Sequence, residues 1–354
     1  MTSKERVLTA ISRQAPDRIP VDFSANPATL RRLMSDFGAG DYADLLAKLN
    51  VDIVDLRGVV DPVYCGPVPE TVSRPGGVVE NYWGMRTMTM ATATGPEECY
   101  CDFVFSESAT LDELAVHRWP ETDWFDFTDF SARLDTWAHL AIVASGASVW
   151  QHPTFLRGIE NMLTDLIAAP KTATFLMDRF TDFYVEYFDR MLSCAGGKID
   201  ILRIADDLAM QDRLMVSPKH FDEFFAPRLK KLIDMAHSHN VKVMYHSCGA
   251  VAGLIEKLID LGIDILDPIQ VTAAGMDPVY LKSAFGNRIC LHGAIDTQHL
   301  LPTGSPQDVA EAVRRTIGEL GPEGFILSPS HVLQTDVPTA NVRALYETVH
   351  ASSA

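Results

Sequence analysis

Short apolar runs recur along the chain, each bounded by polar residues: 19–23, 51–56, 148–150, 201–204, 241–245, 263–266, 289–291 and 325–327. Many are rich in β-branched residues, which suit a pleated, half-buried surface. Most are followed by a stretch with helical spacing. After Ser217-Pro218, a hydroxyl cap followed by a proline in the first turn, Phe221, Phe224, Phe225, Leu229, Leu232 and Ile233 recur at intervals of three and four through His239. Residues 250–261 form a second helical stretch, closed by Gly262, and Ser305-Pro306 opens a third that carries Val309, Ala312, Val313, Ile317 and Leu320. About eight strand candidates alternating with helices predict an α/β fold with a parallel sheet, and that number suggests closure as a (β/α)8 TIM barrel.

The alternation lapses between about residues 61 and 129. Residues 77–90 and 98–105 read as two extended segments joined through 91–96, a β-hairpin, with Trp83 and Trp124 in or beside it. The expectation is one domain over residues 1–354 with this region inserted over the barrel mouth, because long excursions in barrel enzymes commonly build the substrate site at the C-terminal face. An excursion that merely plugs the barrel is the alternative.

Composition narrows the chemistry. With 354 residues, 47% of them hydrophobic, the chain can bury a large core. A net charge of -17 repels nucleic acid and anionic membranes and leaves no basic tract for either. Small-molecule chemistry or docking to another protein fits better, and a homodimer is compatible. No run reaches the roughly 20 apolar residues that span a bilayer, and the N-terminus leads into an amphipathic helix rather than a signal peptide, so a cytoplasmic protein is expected. The six cysteines are scattered, which favours reduced thiols. Cys99 and Cys101 fall in a strand-like segment, where packing is the ordinary role of a free thiol.

A barrel demands that polar residues gather where strands end, and they do. His246-Ser247-Cys248-Gly249 closes the run 241–245, and a period of two points the imidazole and the thiol the same way. These are two good zinc ligands. A catalytic zinc takes three protein ligands, and His331, at the end of the last strand, is the best third candidate, with His292 and Asp296 in reserve. Asp206 and Asp207 end another strand. Adjacent residues of an extended chain cannot both point inward, so one is expected to face the pocket, to orient substrate, act as general acid or base, or hold a ligand histidine, and the other to cap or solvate the next turn; a helix cap plus a surface carboxylate is the alternative. Asp296 reads as either a cap or a pocket carboxylate. Gln151, Arg157, Gln211 and His292 are candidate substrate contacts, joined by the aromatics Tyr82 and Trp150. Dinucleotide, P-loop and serine-hydrolase motifs are absent from the sequence, as is an Asp-x-His-x-x-Gly segment of the kind that ligates a corrinoid cobalt.

These residues carry a family resemblance. Asp17-Arg18-Ile19-Pro20-Val21, Leu156-Arg157-Gly158-Ile159-Glu160, Asp206-Asp207-Leu208 with Gln211, Ser217-Pro218, the His246 to Gly249 run, and Pro338 with Asn341 together resemble the uroporphyrinogen decarboxylase superfamily over nearly the whole chain. That superfamily also contains methyltransferases that act with corrinoid proteins. The resemblance implies a (β/α)8 barrel. The decarboxylases carry an arginine-rich segment near the N-terminus that grips carboxylates, and this chain lacks it; Arg31 and Arg32 are its nearest basic pair. The methyltransferase branch carries His-x-Cys and a later cysteine that together bind zinc. His246 and Cys248 match the first two, while His331 stands at the later position. The resemblance therefore implies a zinc-dependent methyltransferase that exchanges a methyl group between a small methyl donor or acceptor (an ether, a methylamine or a thiol) and the corrinoid (cobalamin) of a partner protein. An aromatic methyl ether is favoured if Tyr82 and Trp150 reach the pocket. A cofactor-free decarboxylase and a non-catalytic binding barrel are the alternatives.

Overall fold

The computed structural model describes residues 1–92, 95–106 and 109–352. In chain order the strands are β1 (Ile53–Asp55), β2 (Val63–Tyr64), β3 (Thr71–Ser73), β4 (Val78–Asn81), β5 (Arg86–Thr92), β6 (Gly95–Cys101) and β7 (Phe125–Asp126). They continue with β8 (Ala141–Ala147), β9 (Ile201–Ala205), β10 (Lys242–His246), β11 (Ile265–Ile269), β12 (Cys290–Ile295) and β13 (Phe325–Pro329). Strands β1, β8, β9, β10, β11, β12 and β13 form a parallel seven-stranded sheet in that order. Residues 20–22 bridge its two edges: Asp22 N donates to Leu327 O, Leu327 N to Pro20 O, and Asp52 N to Val21 O. The predicted strand at 19–23 thus closes the ring through one bridge rather than a full ladder.

Two expectations need correction. Residues 148–150 are not a strand; β8 precedes them, and their backbone wraps instead around Asp206. The other strands tend to run past their apolar runs into polar residues, as β11 does to Ile269 and β12 to Ile295. The helices match more closely. Pro306–Leu320 carries its predicted cap, with the Ser305 hydroxyl accepting from Asp308 N. Gly262, at φ 105°, ends the helix Ile255–Leu261.

The barrel lumen is layered. Ile53, Val143, Ile201, Met244, Ile265, Cys290 and Ile326 make a small apolar cluster with Val7, Ala10 and Ile11 of the N-terminal helix Ser3–Ile11, which seals that end. Two residues further along each strand stand Asp55, Ser145, Arg203, His246, Asp267, His292 and Ser328. The period of two that aims the lower layer inward aims the polar layer inward as well. Asp52 anchors the sealed end. It is fully buried and pairs with Arg6 at 2.7 Å and Arg18 at 2.7 Å, while accepting from Val21 N.

The region between β1 and β8 holds two small antiparallel sheets, β2–β7 and β3–β4–β5–β6. The hairpin forms from β5 and β6, and residues 93 and 94 of its predicted turn lie outside the described residues. Tyr100 stacks on Phe155 at 3.5 Å between centroids, and Arg157 donates to Phe105 O, so the region packs against the helix that follows β8. Among the described residues no helix is long and apolar enough to cross a membrane.

Candidate metal centre and substrate cavity

His246 ends β10, and Cys248 follows in a turn that the fold holds tightly. Gly249 has φ 89°, and a Cβ there would stand 2.5 Å from Met210 O; its N–H donates to Gln270 Oε1 at 2.7 Å. Only glycine fits so near a carbonyl with a left-handed backbone. The turn brings Cys248 Sγ within 3.5 Å of His246 Nε2. Asp207 joins them: its Oδ1 lies 3.7 Å from His246 Nε2 and accepts from Cys248 N at 2.8 Å. The three donor atoms all fall within 4.8 Å of one another.

This geometry suits a tetrahedral cation. Zinc bonds of ~2.0–2.3 Å place neighbouring donors roughly 3.4–3.6 Å apart, close to the two separations seen here. Imidazole, thiol and carboxylate are also the donor types zinc prefers. Burial, with the Asp207 and Asp267 carboxylates, holds the Cys248 thiol well above its ordinary range, so the protein alone does not favour the thiolate that a cation would stabilise.

His331, the third candidate from the sequence, stands apart from this group. His331 is exposed, its ring centroid stands 6.3 Å from that of His246, and it does not join the donor group. Asp207 lies nearer because the end of β9 lies beside the end of β10, whereas the segment after β13 reaches the rim from across the barrel.

Behind His246 runs a buried charge network. Asp267 Oδ2 lies 2.8 Å from His246 Nδ1, and Asp267 Oδ1 lies 2.8 Å from His292 Nδ1. Arg203 pairs with Asp267 through Nε and Nη2, and its Nη2 stands 2.8 Å from His246 Nδ1. His292 Nε2 reaches Asp22 Oδ2 at 3.1 Å. With a proton on Nδ1, His246 donates to Asp267 and turns the Nε2 lone pair toward Cys248 and Asp207, the tautomer a metal ligand needs. Burial opposes the charge on Asp267, but Arg203, His246 and His292 outweigh it and hold the carboxyl well below its usual range. Burial likewise opposes charge on His292, yet Asp267 and Asp22 push the imidazole up to about 9.

The two adjacent carboxylates face different surroundings. Asp207 lines the lumen cavity, with Gln151 Nε2 at 3.3 Å from its Oδ2. Asp206 is fully buried and accepts from the Ser148 hydroxyl and from the N–H groups of Val149, Trp150 and Gln151; burial still pushes it up to about 6. It staples the end of β8 and does not face the cavity. Asp296 lines a cavity beside Cys248, but its oxygens cap the turn of Gln298, His299 and Leu300.

Three cavities meet at this end of the barrel. One of about 250 Å3 lies over Cys248, with Gln211, Gln270 and His331 in its walls, and Gln270 donates to Gln211. The lumen cavity, about 230 Å3, contains His246, Arg203, His292 and Gln151. A larger one of about 770 Å3 opens past Asp55 and Arg57. Val332 lines all three.

Three proposed substrate contacts are engaged elsewhere. Trp150 is 1% exposed and packs on Phe225. Tyr82 stacks on Tyr64 within the insertion. Arg157 is paired with Asp165 at 2.8 Å and holds Phe105 O, so its charge is spent on anchoring the insertion. The sequence reading missed Arg203, Asp267, Asp55 and Asp22 as members of the site. Their signal was available: each is a charged residue inside or at the end of an apolar run, at an inward position.

A family model for uroporphyrinogen decarboxylase (URO-D) matches residues 138–352. The methylcobamide:CoM methyltransferase MtbA of Methanosarcina acetivorans is 26% identical over 175 residues, 49% of this chain and 47% of that protein. The methylated-thiol–coenzyme M methyltransferase of Methanosarcina mazei is 29% identical over 164 residues, 46% and 41% of the two chains. A uroporphyrinogen decarboxylase of Hordeum vulgare is 26% identical over 184 residues, 51% of each. The chain spans about half the length of the curated relatives it matches. A solved methyltransferase structure from Methanosarcina mazei shares the fold, with a TM-score of 0.68 and 19% identity over 100% of both chains. With the family model covering well over half of its length and the barrel formed as that family requires, this chain belongs to the uroporphyrinogen decarboxylase family.

Proposed function

We propose that this protein is a zinc-dependent methyltransferase that moves a methyl group between a small substrate and the corrinoid of a separate protein. The observation that carries this reading is the convergence of His246 Nε2, Cys248 Sγ and an Asp207 oxygen at the rim of the substrate cavities. Two of the relatives named above are methyltransferases, one acting with a methylcobamide and one with methylated thiols, which supports the same reading. Zinc held there would supply Lewis-acid activation of an ether, amine or thiol heteroatom.

The protein's own groups supply the rest. Asp267 fixes the His246 ring and its tautomer, as carboxylates behind ligand histidines do. Gln211 and Gln270 offer amide groups beside Cys248 for a polar substrate end. An aromatic ether loses its special support, since Tyr82 and Trp150 are packing residues.

Metal content and turnover test the reading together. The expected result is about one zinc per chain and a change in methylcobalamin with a candidate thiol, or methylation of cobalt(I) corrinoid from an ether or methylamine. A protein that takes up no zinc and leaves the corrinoid unchanged with every such substrate would refute it. A cofactor-free decarboxylase is the second reading, favoured by the Hordeum vulgare relative and by the lumen carboxylates Asp22, Asp55 and Asp207. Carbon dioxide release insensitive to chelators and to Cys248→Ser would select it.

A further inference from the structure

The outer cavity has the wrong sign for this protein. The chain carries a net charge of -17, yet the cavity of about 770 Å3 is lined by two guanidinium groups, Arg57 and Arg203, against one carboxylate, Asp55. Burial raises the Asp55 carboxyl toward its neutral form, and both its oxygens already accept from the Ser145 hydroxyl.

The two arginines have unused donors. Arg57 follows β1, and its side chain makes no hydrogen bond or ion pair among the described residues; its backbone N–H is what donates to Asp55. Arg203 spends Nε and Nη2 on Asp267, while Nη1 has no partner among the described residues and is not among the buried unpaired atoms. Both therefore present N–H groups to the cavity. The remaining wall carries an apolar stretch, Phe23, Pro27, Leu30 and Val59, beside the uncharged polar groups of Ser24, Asn26 and Tyr42.

Arg203 also belongs to the lumen cavity and touches His246, so a group bound at its free nitrogen sits beside the metal donors. Arg57 lies outside residues 138–352, the part matched by the family model. The feature thus joins one residue outside that part, Arg57, to one within it, Arg203.

We propose that Arg57 and the free edge of Arg203 form an anion subsite, and that the small substrate is an organic acid whose carboxylate they bind while its apolar body lies along Phe23, Leu30 and Val59. A guanidinium fork recognises a planar carboxylate through paired, charge-assisted hydrogen bonds. The cavity over Cys248 has no arginine or lysine in its wall, so the acid end belongs on the Arg57 side and the reacting end toward His246. The subsite rests on the reading of the lumen as a substrate site, and its test is a binding measurement that requires no turnover.

The experiment is calorimetric titration of the full chain in excess chelator, with two matched pairs: 4-methoxybenzoate against 4-methoxybenzamide, and hexanoate against hexanamide. The chelator removes any direct bond between carboxylate and metal. The expected result is that at least one acid binds about tenfold or more tighter than its amide, and that Arg57→Gln abolishes this preference while Arg57→Lys keeps part of it. The Arg57 side chain has no hydrogen-bond or ion-pair partner among the described residues, so Arg57→Gln should keep the fold, which an unchanged melting temperature would verify. Equal binding of acid and amide, no binding of either acid at about 10 mM, or a preference that survives Arg57→Gln would overturn the proposal. An acid preference in a protein that transfers no methyl group would uphold the subsite and refute only the methyltransferase.

Discussion

His246 and His292 share one carboxylate: Asp267 places Oδ2 2.8 Å from Nδ1 of the first and Oδ1 2.8 Å from Nδ1 of the second. The β-sheet makes this possible, because His246 and Asp267 are register partners on β10 and β11, and β12 brings His292 to the other side of β11. A candidate metal donor and a buried imidazolium are thereby tied to a single group. Asp267→Asn should lower zinc affinity by about 10–100-fold while leaving the ligands present, since it removes the acceptor that fixes the His246 tautomer. Competition with a chromogenic chelator measures this, and unchanged affinity would deny Asp267 its orienting role.

The candidate donor group contains Asp207, whereas the sequence favoured His331 as the third ligand. Zinc retention should be lost in His246→Ala and Cys248→Ala, strongly weakened in Asp207→Ala, and largely preserved in His331→Ala, whose ring stands apart from the donors. Elemental analysis of the dialysed variants decides it. Loss in His331→Ala with retention in Asp207→Ala would reverse the assignment.

His292 gives stability a pH dependence. Its folded pKa, about 9, lies above the ordinary 6.5 of a histidine, so the protonated form is favoured by folding. The stabilisation is fully present below pH about 6.5 and is lost as pH rises through about 9. Urea unfolding of the metal-free protein between these limits should show stability falling with pH, and His292→Gln should flatten that fall. A variant as steep as the wild type would sink the assignment.

Asp206 and Asp207 should part company when mutated. Asp206→Ala strips four donors of their buried acceptor and should cost on the order of 2–5 kcal/mol, because each unsatisfied buried group carries its own desolvation penalty. Asp207→Ala should leave stability nearly unchanged and reduce metal binding and activity. Chemical denaturation of both variants tests the division; equal destabilisation would refute it.

At the sealed end, Asp52→Ala should destabilise by roughly 3 kcal/mol, since Arg18 loses its carboxylate partner and Arg6 keeps only the exposed Asp17. Zinc content of the folded fraction should remain as in the wild type, for this pair lies at the opposite end of the barrel from the donors. A shift of the urea midpoint without loss of zinc is the expected outcome.

The sequence by itself determined the elements and the layering. Alternation of apolar runs with capped helices is a local pattern, and a period of two is enough to send Ile201 and Arg203, or Ile265 and Asp267, to the same side of their strands. The His246 and Cys248 pairing was legible for the same reason, as two residues of one short segment. What only the tertiary structure decided is which residues from different strands meet. Whether Asp207 or His331 completes the donor set depends on strand order and on the path of the chain beyond each strand end, and neither leaves a trace in spacing. The same holds for Trp150, Tyr82 and Arg157. Each looked like a cavity residue from its place in the chain, but packing and a partner carboxylate turned it to the support of the fold. The lumen charges escaped notice for the converse reason. Arg203 looks out of place in an apolar strand until Asp267 comes to lie near it, and only the pairing of β9 and β11 on either side of β10 brings Asp267 there.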